Sequence, residues 1–279
     1  MNRIDRRFAA LKQAERVALV PYVTAGHPLP ESTVPVLHAA VRAGADLLEI
    51  GMPFSDVMAD GPVIQNAHER ALAQGTGLDQ VLDMVRAFRQ DDPETPIILM
   101  GYANPIERRG AERFAGQAAE AGVDGLLIVD CPADEADQLQ ACLKDRGIHQ
   151  IFLVAPTTTE NRLKHASRLA GGFVYYVSIK GVTGAASLDV DSLAPVIARV
   201  REKIDLPVAV GFGIREPAQA AAVSATADAV VIGSALVERL DRCETSDEAI
   251  TVVADFLAPV RQAMDNSAFV VSEKIVRPA

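Results

Sequence analysis

The sequence has few cysteines, little net positive charge and no long apolar run. Its three cysteines, Cys131, Cys142 and Cys243, are too scattered for a disulfide framework, and neither a CxxC pair nor the spacing of the five histidines indicates a metal site. The formal net charge of −10 argues against nucleic acid or anionic lipid as a partner. No apolar run approaches the roughly 20 residues of a membrane span, and the N-terminus has no signal-peptide core. These absences predict a cytoplasmic protein without a metal.

Short apolar runs alternate with longer stretches of helical periodicity. Eight such runs stand at residues 18–23, 47–50, 96–100, 125–129, 150–154, 173–177, 207–210 and 229–232. Continuous apolar runs are typical of parallel strands covered by helices, and the spacing of Val81, Val85 and Phe88 gives one intervening helix an apolar stripe. Eight parallel strands close a barrel. The predicted fold is therefore α/β, a single (β/α)8 TIM barrel with an extra N-terminal helix.

Nothing in the sequence divides the chain into separate domains. It contains no Pro/Ser-rich linker, no block of like charge and no low-complexity segment. We expect one barrel domain over residues 1–265, with the amphipathic N-terminal helix against the bottom face of the barrel. Residues 266–279 are expected to form a C-terminal tail that follows the last helix.

A local repeat supports the alternation of helix and strand. Gly44 and Asp46 recur as Gly122 and Asp124, and in each copy the glycine follows a predicted helix and the aspartate precedes a predicted strand. A weaker copy without the glycine stands at residues 225–228. Glycine readily adopts the left-handed conformation that ends a helix. The repeat therefore predicts the turns that lead from helix into strand.

Polar side chains follow or end several predicted strands, at the edge where barrel enzymes carry their active sites. Glu49 lies inside an apolar run, where poor solvation raises the pKa of a carboxyl toward the range useful for proton transfer. Asp60 precedes a Gly-Pro turn in the long loop after the second strand. A structural ion pair for Glu49 and a turn or capping role for Asp60 are the alternatives. Tyr175 stands in the sixth strand.

Small residues cluster after the sixth, seventh and eighth strands. They are Gly181, Gly184, Gly211, Gly213, Gly233 and Ser234. Glycines let backbone N–H groups approach a phosphate, and a helix that begins after Gly233 adds its positive end. Turn geometry explains each group equally well when it is taken alone. Three groups at adjacent strand ends predict a phosphate site.

Several motifs together resemble one known family over nearly the whole chain. They are LEIGMPFSD at 48–56, ADGPVIQ at 59–65, YAN at 102–104, GVTG at 181–184 and GFGI at 211–214. These segments are similar to those of the tryptophan synthase α subunit family. The resemblance implies a lyase of tryptophan biosynthesis that cleaves indole-3-glycerol phosphate, by a retro-aldol reaction, into indole and glyceraldehyde 3-phosphate.

The resemblance also implies roles for individual residues. Glu49 becomes the general acid and base, Asp60 accepts the indole N–H and stabilises the positive charge that develops in the ring, and Tyr175 matches the active-site tyrosine. Substrate and phosphate binding is implied at Thr183, Gly184, Gly211, Phe212, Gly213, Gly233 and Ser234. The implied indole pocket comprises Tyr22, Met100, Leu127, Val129, Leu153 and Ile232, together with Phe212.

By the same resemblance, the chain works with a tryptophan synthase β subunit in an α2β2 heterotetramer. It is expected to bind no cofactor, because the pyridoxal phosphate belongs to the β subunit, which receives the indole. The sequence departs from the family pattern at three places, which concern the loops and the coupling to the β subunit more than the chemistry. Tyr22 stands where the family commonly has Phe, Val57 stands where it commonly has Pro, and residues 179–180 replace a more polar pair.

Three other functions remain open at the level of sequence. A sugar-phosphate isomerase or epimerase shares the glycine groups but needs its own acid–base pair, and the segment from Glu49 to Asp60 argues against it. A regulatory subunit binds the same substrate without turning it over. A stand-alone lyase releases free indole and has no β subunit.

Overall fold

The computed structural model describes residues 1–177, 193–211 and 213–276. The strands within these ranges are β1 Ala18–Thr24, β2 Leu48–Gly51, β3 Ile97–Gly101, β4 Gly125–Ile128, β5 His149–Ile151, β6 Leu153–Val154, β7 Val174–Val177, β8 Val208–Gly211 and β9 Ala229–Ile232. The helices are α1 Arg3–Gln13, α2 Thr33–Arg42, α3 Pro62–Ala73, α4 Leu78–Asp91, α5 Ala103–Arg109, α6 Ala111–Ala121, α7 Asp137–Lys144, α8 Glu160–Leu169, α9 Leu193–Arg201, α10 Pro217–Ser224, α11 Ser234–Leu240 and α12 Ser246–Val276. Short 3₁₀ turns occupy Pro30–Ser32 and Ala133–Glu135.

The strands form one parallel sheet in the order β5-β4-β3-β2-β1-β9-β8-β7-β6. The two end strands, β5 and β6, are consecutive in the chain and only Phe152 separates them, so the sheet curves round into a barrel. Each of the eight predicted runs overlaps a strand to within a residue or so at its ends, and the run at 150–154 is broken in two at Phe152. The carbonyl of Phe152 still accepts a hydrogen bond from the Tyr175 N–H at 3.0 Å. The predicted barrel is confirmed.

Alternate residues of each strand face the inside of the barrel. The interior cluster contains Ala18, Val20, Leu47, Ile98, Leu127, Ile151, Tyr175, Ala209, Ala229 and Val231. Residues between them, such as Leu48 and Val230, join two larger clusters between the sheet and the helices. Successive side chains of a strand point to opposite faces. The inward side chains at the carboxyl ends of the strands therefore lie together at one end of the barrel.

Helix α1 closes the amino end of the barrel. Ile4 is fully buried in the interior cluster, and a side chain at Gly125, the first residue of β4, would meet it. The Phe8 and Phe173 rings lie 5.8 Å apart, and His149 Nε2 lies 2.9 Å from Asp5. The extra N-terminal helix predicted from the sequence is therefore present, and it leaves the carboxyl end of the barrel as the open mouth.

Each aspartate of the sequence repeat binds the neighbouring strand at two points. Its backbone N–H donates to the carbonyl of one residue, and its carboxylate accepts the N–H of that same residue, at distances of 2.8–2.9 Å for Asp46 with Leu19, 2.9 Å for Asp124 with Ile97 and 2.8–2.9 Å for Asp228 with Val208. The glycines before the first two aspartates have φ of +102° and +94°. The repeat thus ends helices and also fixes the register of adjacent strands.

The last helix extends beyond the predicted start of the tail. Helix α12 continues to Val276, so the expected boundary at Asn266 falls inside it. No glycine or proline stands between Val260 and Val276 to end the helix. Ser267 Oγ lies 2.9 Å from Ser224 Oγ, which joins this part of α12 to α10. No helix in the described part of the chain is both long and apolar enough to cross a membrane.

The Asp124→Ala substitution is expected to destabilise the barrel by about 3–5 kcal/mol. It removes the acceptor of the Ile97 N–H and leaves Arg89, whose side chain is 9% exposed, without its partner at 2.8 Å. Urea unfolding measures the loss. The control is Asp83→Ala, which removes an exposed pair with Arg86 and should cost about 1 kcal/mol or less. Equal effects of the two substitutions would contradict the role of Asp124.

Candidate active site

Most of the predicted site residues meet at the open mouth of the barrel. Tyr22 of β1 lies in register with Glu49 of β2, and Leu153 of β6 with Tyr175 of β7. The apolar residues Met100, Leu127, Val129, Leu153 and Tyr175 share the interior cluster, and Met100 also packs against the cluster that contains Tyr22. The strand ends therefore form an apolar cup with one carboxyl, Glu49, in its wall.

Ile232 does not join this group. It lies at the end of β9 in the cluster between the sheet and the helices, together with Val230. Ala229 and Val231 of the same strand face the interior. The alternation along β9 accounts for the difference, because Ile232 stands one residue beyond an inward position.

Glu49 is a buried carboxyl in an apolar setting. It is 2% exposed and forms no hydrogen bond with any residue that the structure describes. Burial raises the pKa of Glu49 to about 8, and the nearby charge of Asp60 contributes in the same direction. At neutral pH this carboxyl is mostly protonated. It can therefore give a proton to a bound molecule and, once ionised, take one back.

Asp60 is held by two side chains and is half-buried. The Tyr102 hydroxyl donates to Asp60 Oδ2 at 2.7 Å and accepts the Ala59 N–H at 3.1 Å. Gln65 Nε2 donates to the Asp60 carbonyl at 2.8 Å. Burial raises the pKa of Asp60, and the hydrogen bond from Tyr102 acts in the opposite direction. The tyrosine thus favours the ionised form of a carboxylate that lies at the mouth.

Two glycines make room for the buried tyrosines of the cup. A Cβ at Gly51 would overlap the Tyr22 hydroxyl, and a Cβ at Gly211 would overlap the Tyr175 hydroxyl. Burial raises the pKa of both phenols well above the ordinary value, so both stay protonated. Gly51 and Gly211 therefore allow close approach of a side chain, which is a packing requirement independent of any ligand.

The predicted phosphate residues lie at the ends of the adjacent strands β8 and β9. Gly213 is exposed with φ +69°, Gly233 precedes α11, and Ser234 is the exposed first residue of that helix. The first N–H groups of a helix have no partners within it, so they are available to an anion. Thr183, Gly184 and Phe212 lie outside the described residues, as do Gly181 and residues 179–180.

Three residues that hold the loop carrying Asp60 were not given roles from the sequence. Tyr102 was noted only as part of a motif, Gln65 only as the end of another, and His68 only as one of five histidines. Gln65 and His68 stand three residues apart on α3, and three-residue spacing puts both on one face of a helix. Two polar residues at this spacing, directly after a loop that carries a candidate carboxylate, could have predicted that α3 contacts that loop through Gln65 and His68.

Comparison with known proteins gives the family. The sequence profile of a family described as tryptophan synthase alpha chain matches residues 8–268. The chain belongs to this family. A tryptophan synthase alpha chain of Thioalkalivibrio sulfidiphilus is 58% identical over 95% of this chain and all of its own length, and one of Marinobacter nauticus is 54% identical over 96% and 100%.

Solved structures agree with this assignment. The structure of tryptophan synthase subunit alpha from Legionella pneumophila has a TM-score of 0.89 and 44% identity, and the match covers 95% of this chain and 99% of that one. A chain of tryptophan synthase from M. tuberculosis has a TM-score of 0.83 and 32% identity, with coverage of 95% and 100%. The protein is therefore the alpha-chain lyase of tryptophan biosynthesis, which cleaves indole-3-glycerol phosphate and has a β subunit as its partner.

The Tyr102→Phe substitution is expected to raise the pKa of Asp60 further. It keeps the ring but removes the hydroxyl whose hydrogen bond lowers that pKa. Carbon-13 NMR of aspartate carboxyls, followed from pH 3 to pH 8, measures the change. Tyr176→Phe is the control, because Tyr176 lies in the outer cluster. An Asp60 titration that is the same in both variants would rule out this role of Tyr102.

Proposed function

We propose that Glu49 and Asp60 divide the lyase chemistry of this chain between them. The observation that supports this assignment is the pair itself. One buried carboxyl has a pKa raised to about 8, a second carboxylate is hydrogen-bonded at 2.7 Å, and they interact across an otherwise apolar cup. Two carboxyls whose environments differ in this way suit two different roles, one in proton transfer and one as a fixed charge.

Glu49 begins as the acid. Its carboxyl gives a proton to C3 of the indole ring, which becomes a cation with the charge centred on the ring nitrogen. The resulting Glu49 carboxylate then takes the proton from the hydroxyl on the carbon attached to C3. The bond between that carbon and C3 breaks, its electron pair returns to the ring, and glyceraldehyde 3-phosphate leaves. Glu49 is then protonated again, and indole remains in the cup.

Asp60 supplies the compensating charge. An ionised carboxylate that accepts the indole N–H stabilises the ring most when the ring is cationic, and it therefore favours the transition state over the substrate. The hydrogen bond from Tyr102 favours the ionised form of this carboxylate and holds it in place. The charge of Asp60 also raises the pKa of Glu49, so the second carboxylate helps to keep the first one protonated.

The remaining site residues bind the two ends of the substrate. Tyr22, Met100, Leu127, Val129 and Leu153 offer the apolar surface for the indole ring. Tyr175 belongs to the same cup and interacts electrostatically with Glu49. The phosphate is assigned to Gly211, Gly213, Gly233 and Ser234, and further to Thr183, Gly184 and Phe212 by family resemblance. Ile232 is left out of the indole pocket, because it faces the helix layer.

The finer features of the complex also belong to this proposal. We assign the chain to an α2β2 heterotetramer in the cytoplasm, with the pyridoxal phosphate held by the β subunit and none held by this chain. The side chain of Met58, two residues before Asp60, is 78% exposed on the loop at the mouth. An exposed apolar side chain beside the site is suited to contact with the subunit that receives the indole.

The Glu49→Gln substitution is expected to lower indole release by about 100-fold or more, because the amide keeps the shape but cannot transfer the proton. In the unsubstituted chain, kcat/KM should fall as the pH rises through about 8, since the ionised Glu49 can no longer protonate C3. Indole is measured directly, with the purified chain alone and with a β subunit.

The control is Glu94→Gln, which changes an exposed carboxylate at the opposite end of the barrel. It should leave both the rate and the pH dependence as they are. Substantial indole release by Glu49→Gln would remove Glu49 from the mechanism. No indole from the unsubstituted chain with a β subunit present would favour the binding-subunit function instead.

Glycerol 3-phosphate is expected to raise the melting temperature by roughly 5–10 °C at a concentration of about 100 times its Kd, because it binds the native state alone. Ser234→Asp should abolish the rise, since it places a negative charge at the first residue of α11. The same change at Ser246, the first residue of α12, is the control and should preserve the rise. Glycerol without phosphate tests the need for the anion. A rise in the Ser234→Asp variant would contradict the assigned phosphate site.

A further inference from the structure

His68 connects the loop that carries Asp60 to strand β1 at the mouth of the barrel. It lies on the inner face of α3 and is 2% exposed. Its Nδ1 accepts the backbone N–H of Phe54 at 3.2 Å, and its Nε2 lies 3.1 Å from the Tyr22 hydroxyl. One imidazole thus joins the first half of the loop, residues 52–61, to a tyrosine on β1 that lines the cup.

The directions of these hydrogen bonds follow from the groups involved. A backbone N–H can only donate, so Nδ1 must carry the lone pair and Nε2 must carry the proton. The Nε2–H then donates to the Tyr22 oxygen, and the Tyr22 hydroxyl is free to donate to Thr24 Oγ1 at 3.2 Å. Burial lowers the pKa of His68 to about 4, which agrees with a neutral ring. Both nitrogens are therefore used, and a single tautomer satisfies the chain of bonds.

The two halves of the loop have separate anchors. Tyr102 and Gln65 hold the second half at Ala59 and Asp60, whereas His68 holds the first half at Phe54. Gln65 and His68 both belong to α3, the helix that follows the loop. The loop is therefore folded back on its own helix, and the distance of Asp60 from Glu49 depends on both anchors.

We propose that His68 is a positioning residue of the lyase, which, as the neutral Nε2–H tautomer, holds Phe54 against α3 and Tyr22 and so fixes the loop that carries Asp60. The inference rests on the proposed role of Asp60. It differs from a purely structural role because it requires a hydrogen-bond acceptor at the Nδ1 position, and not merely a side chain that fills the same volume.

Two substitutions of His68 separate the effect of the hydrogen-bond acceptor at Nδ1 from the effect of the volume that the side chain fills. His68→Asn places Oδ1 the same number of bonds from the backbone as Nδ1, so it can still accept the Phe54 N–H. His68→Leu fills the space but leaves that N–H without its partner. We expect kcat for indole formation to fall by at least about tenfold in the leucine variant and to recover most of this loss in the asparagine variant. His165→Leu, a partly exposed histidine on α8, is the matched control.

Nitrogen-15 NMR of histidine-labelled protein tests the tautomer without any change at the site, and the His68→Asn spectrum assigns the signal. A proton on Nε2 and none on Nδ1 supports the proposal, whereas a proton on Nδ1 overturns it. Wild-type kcat in His68→Leu, or equal losses in the leucine and asparagine variants at equal melting temperature, also overturns it.

Asp60→Asn in the same assay distinguishes a failure of the His68 role from a failure of the Asp60 role. If Asp60→Asn is inactive while His68→Leu keeps wild-type kcat, the proposed function stands and only the role of His68 fails. If Asp60→Asn keeps wild-type kcat, the role of Asp60 fails, and the positioning role of His68 fails with it.

Discussion

The two-point hydrogen bonding of an aspartate to the preceding strand fixes the geometry on which the site depends. Asp46 binds both backbone groups of Leu19 and so sets the register of β2 against β1. A slip of one residue would turn Glu49 from the interior to the helix layer and would bring Leu48 into the cup. Arg261, which is 7% exposed, holds the same carboxylate from α12. A contact at the closed end of the barrel thus decides which side chain of β2, Glu49 or Leu48, faces the cup at the open end.

Burying Glu49 has a cost in stability that depends on pH. The folded-state pKa of about 8 lies above the ordinary value of 4.5, so the neutral carboxyl is favoured on folding. Below pH 4.5 burial of Glu49 therefore costs the protein no stability through ionisation. The free energy of unfolding decreases as the pH rises from 4.5 through about 8, because the unfolded chain releases the proton first. An amide or an apolar side chain at this position would carry no such penalty. A buried carboxyl that no described residue stabilises by a hydrogen bond is therefore better explained by proton transfer than by folding.

The cup residues were implied by the family resemblance, whereas periodicity in the sequence was sufficient for the barrel, because each strand and each helix carries its own local pattern. It failed where a local rule has an exception. The break at Phe152 divides one run into two strands. The resemblance, for its part, placed Ile232 in the pocket, but alternation puts it one residue beyond the last inward position of β9. Helix α12 runs past the expected start of the tail at residue 266, because no glycine or proline there ends the helix.

Contacts between residues that are distant in the chain could not be predicted from the sequence alone. The loop motif around Asp60 suggested a carboxylate at the mouth, but the motif does not specify what holds it. Its anchors come from β1, from the residue after β3 and from α3, and only the closed barrel brings these elements together. Tyr22 illustrates the point: it stands where the resemblance implies phenylalanine, and the fold places His68 Nε2 3.1 Å from its hydroxyl. A departure from a family pattern at a buried position is therefore best explained by the polar partner that the fold supplies.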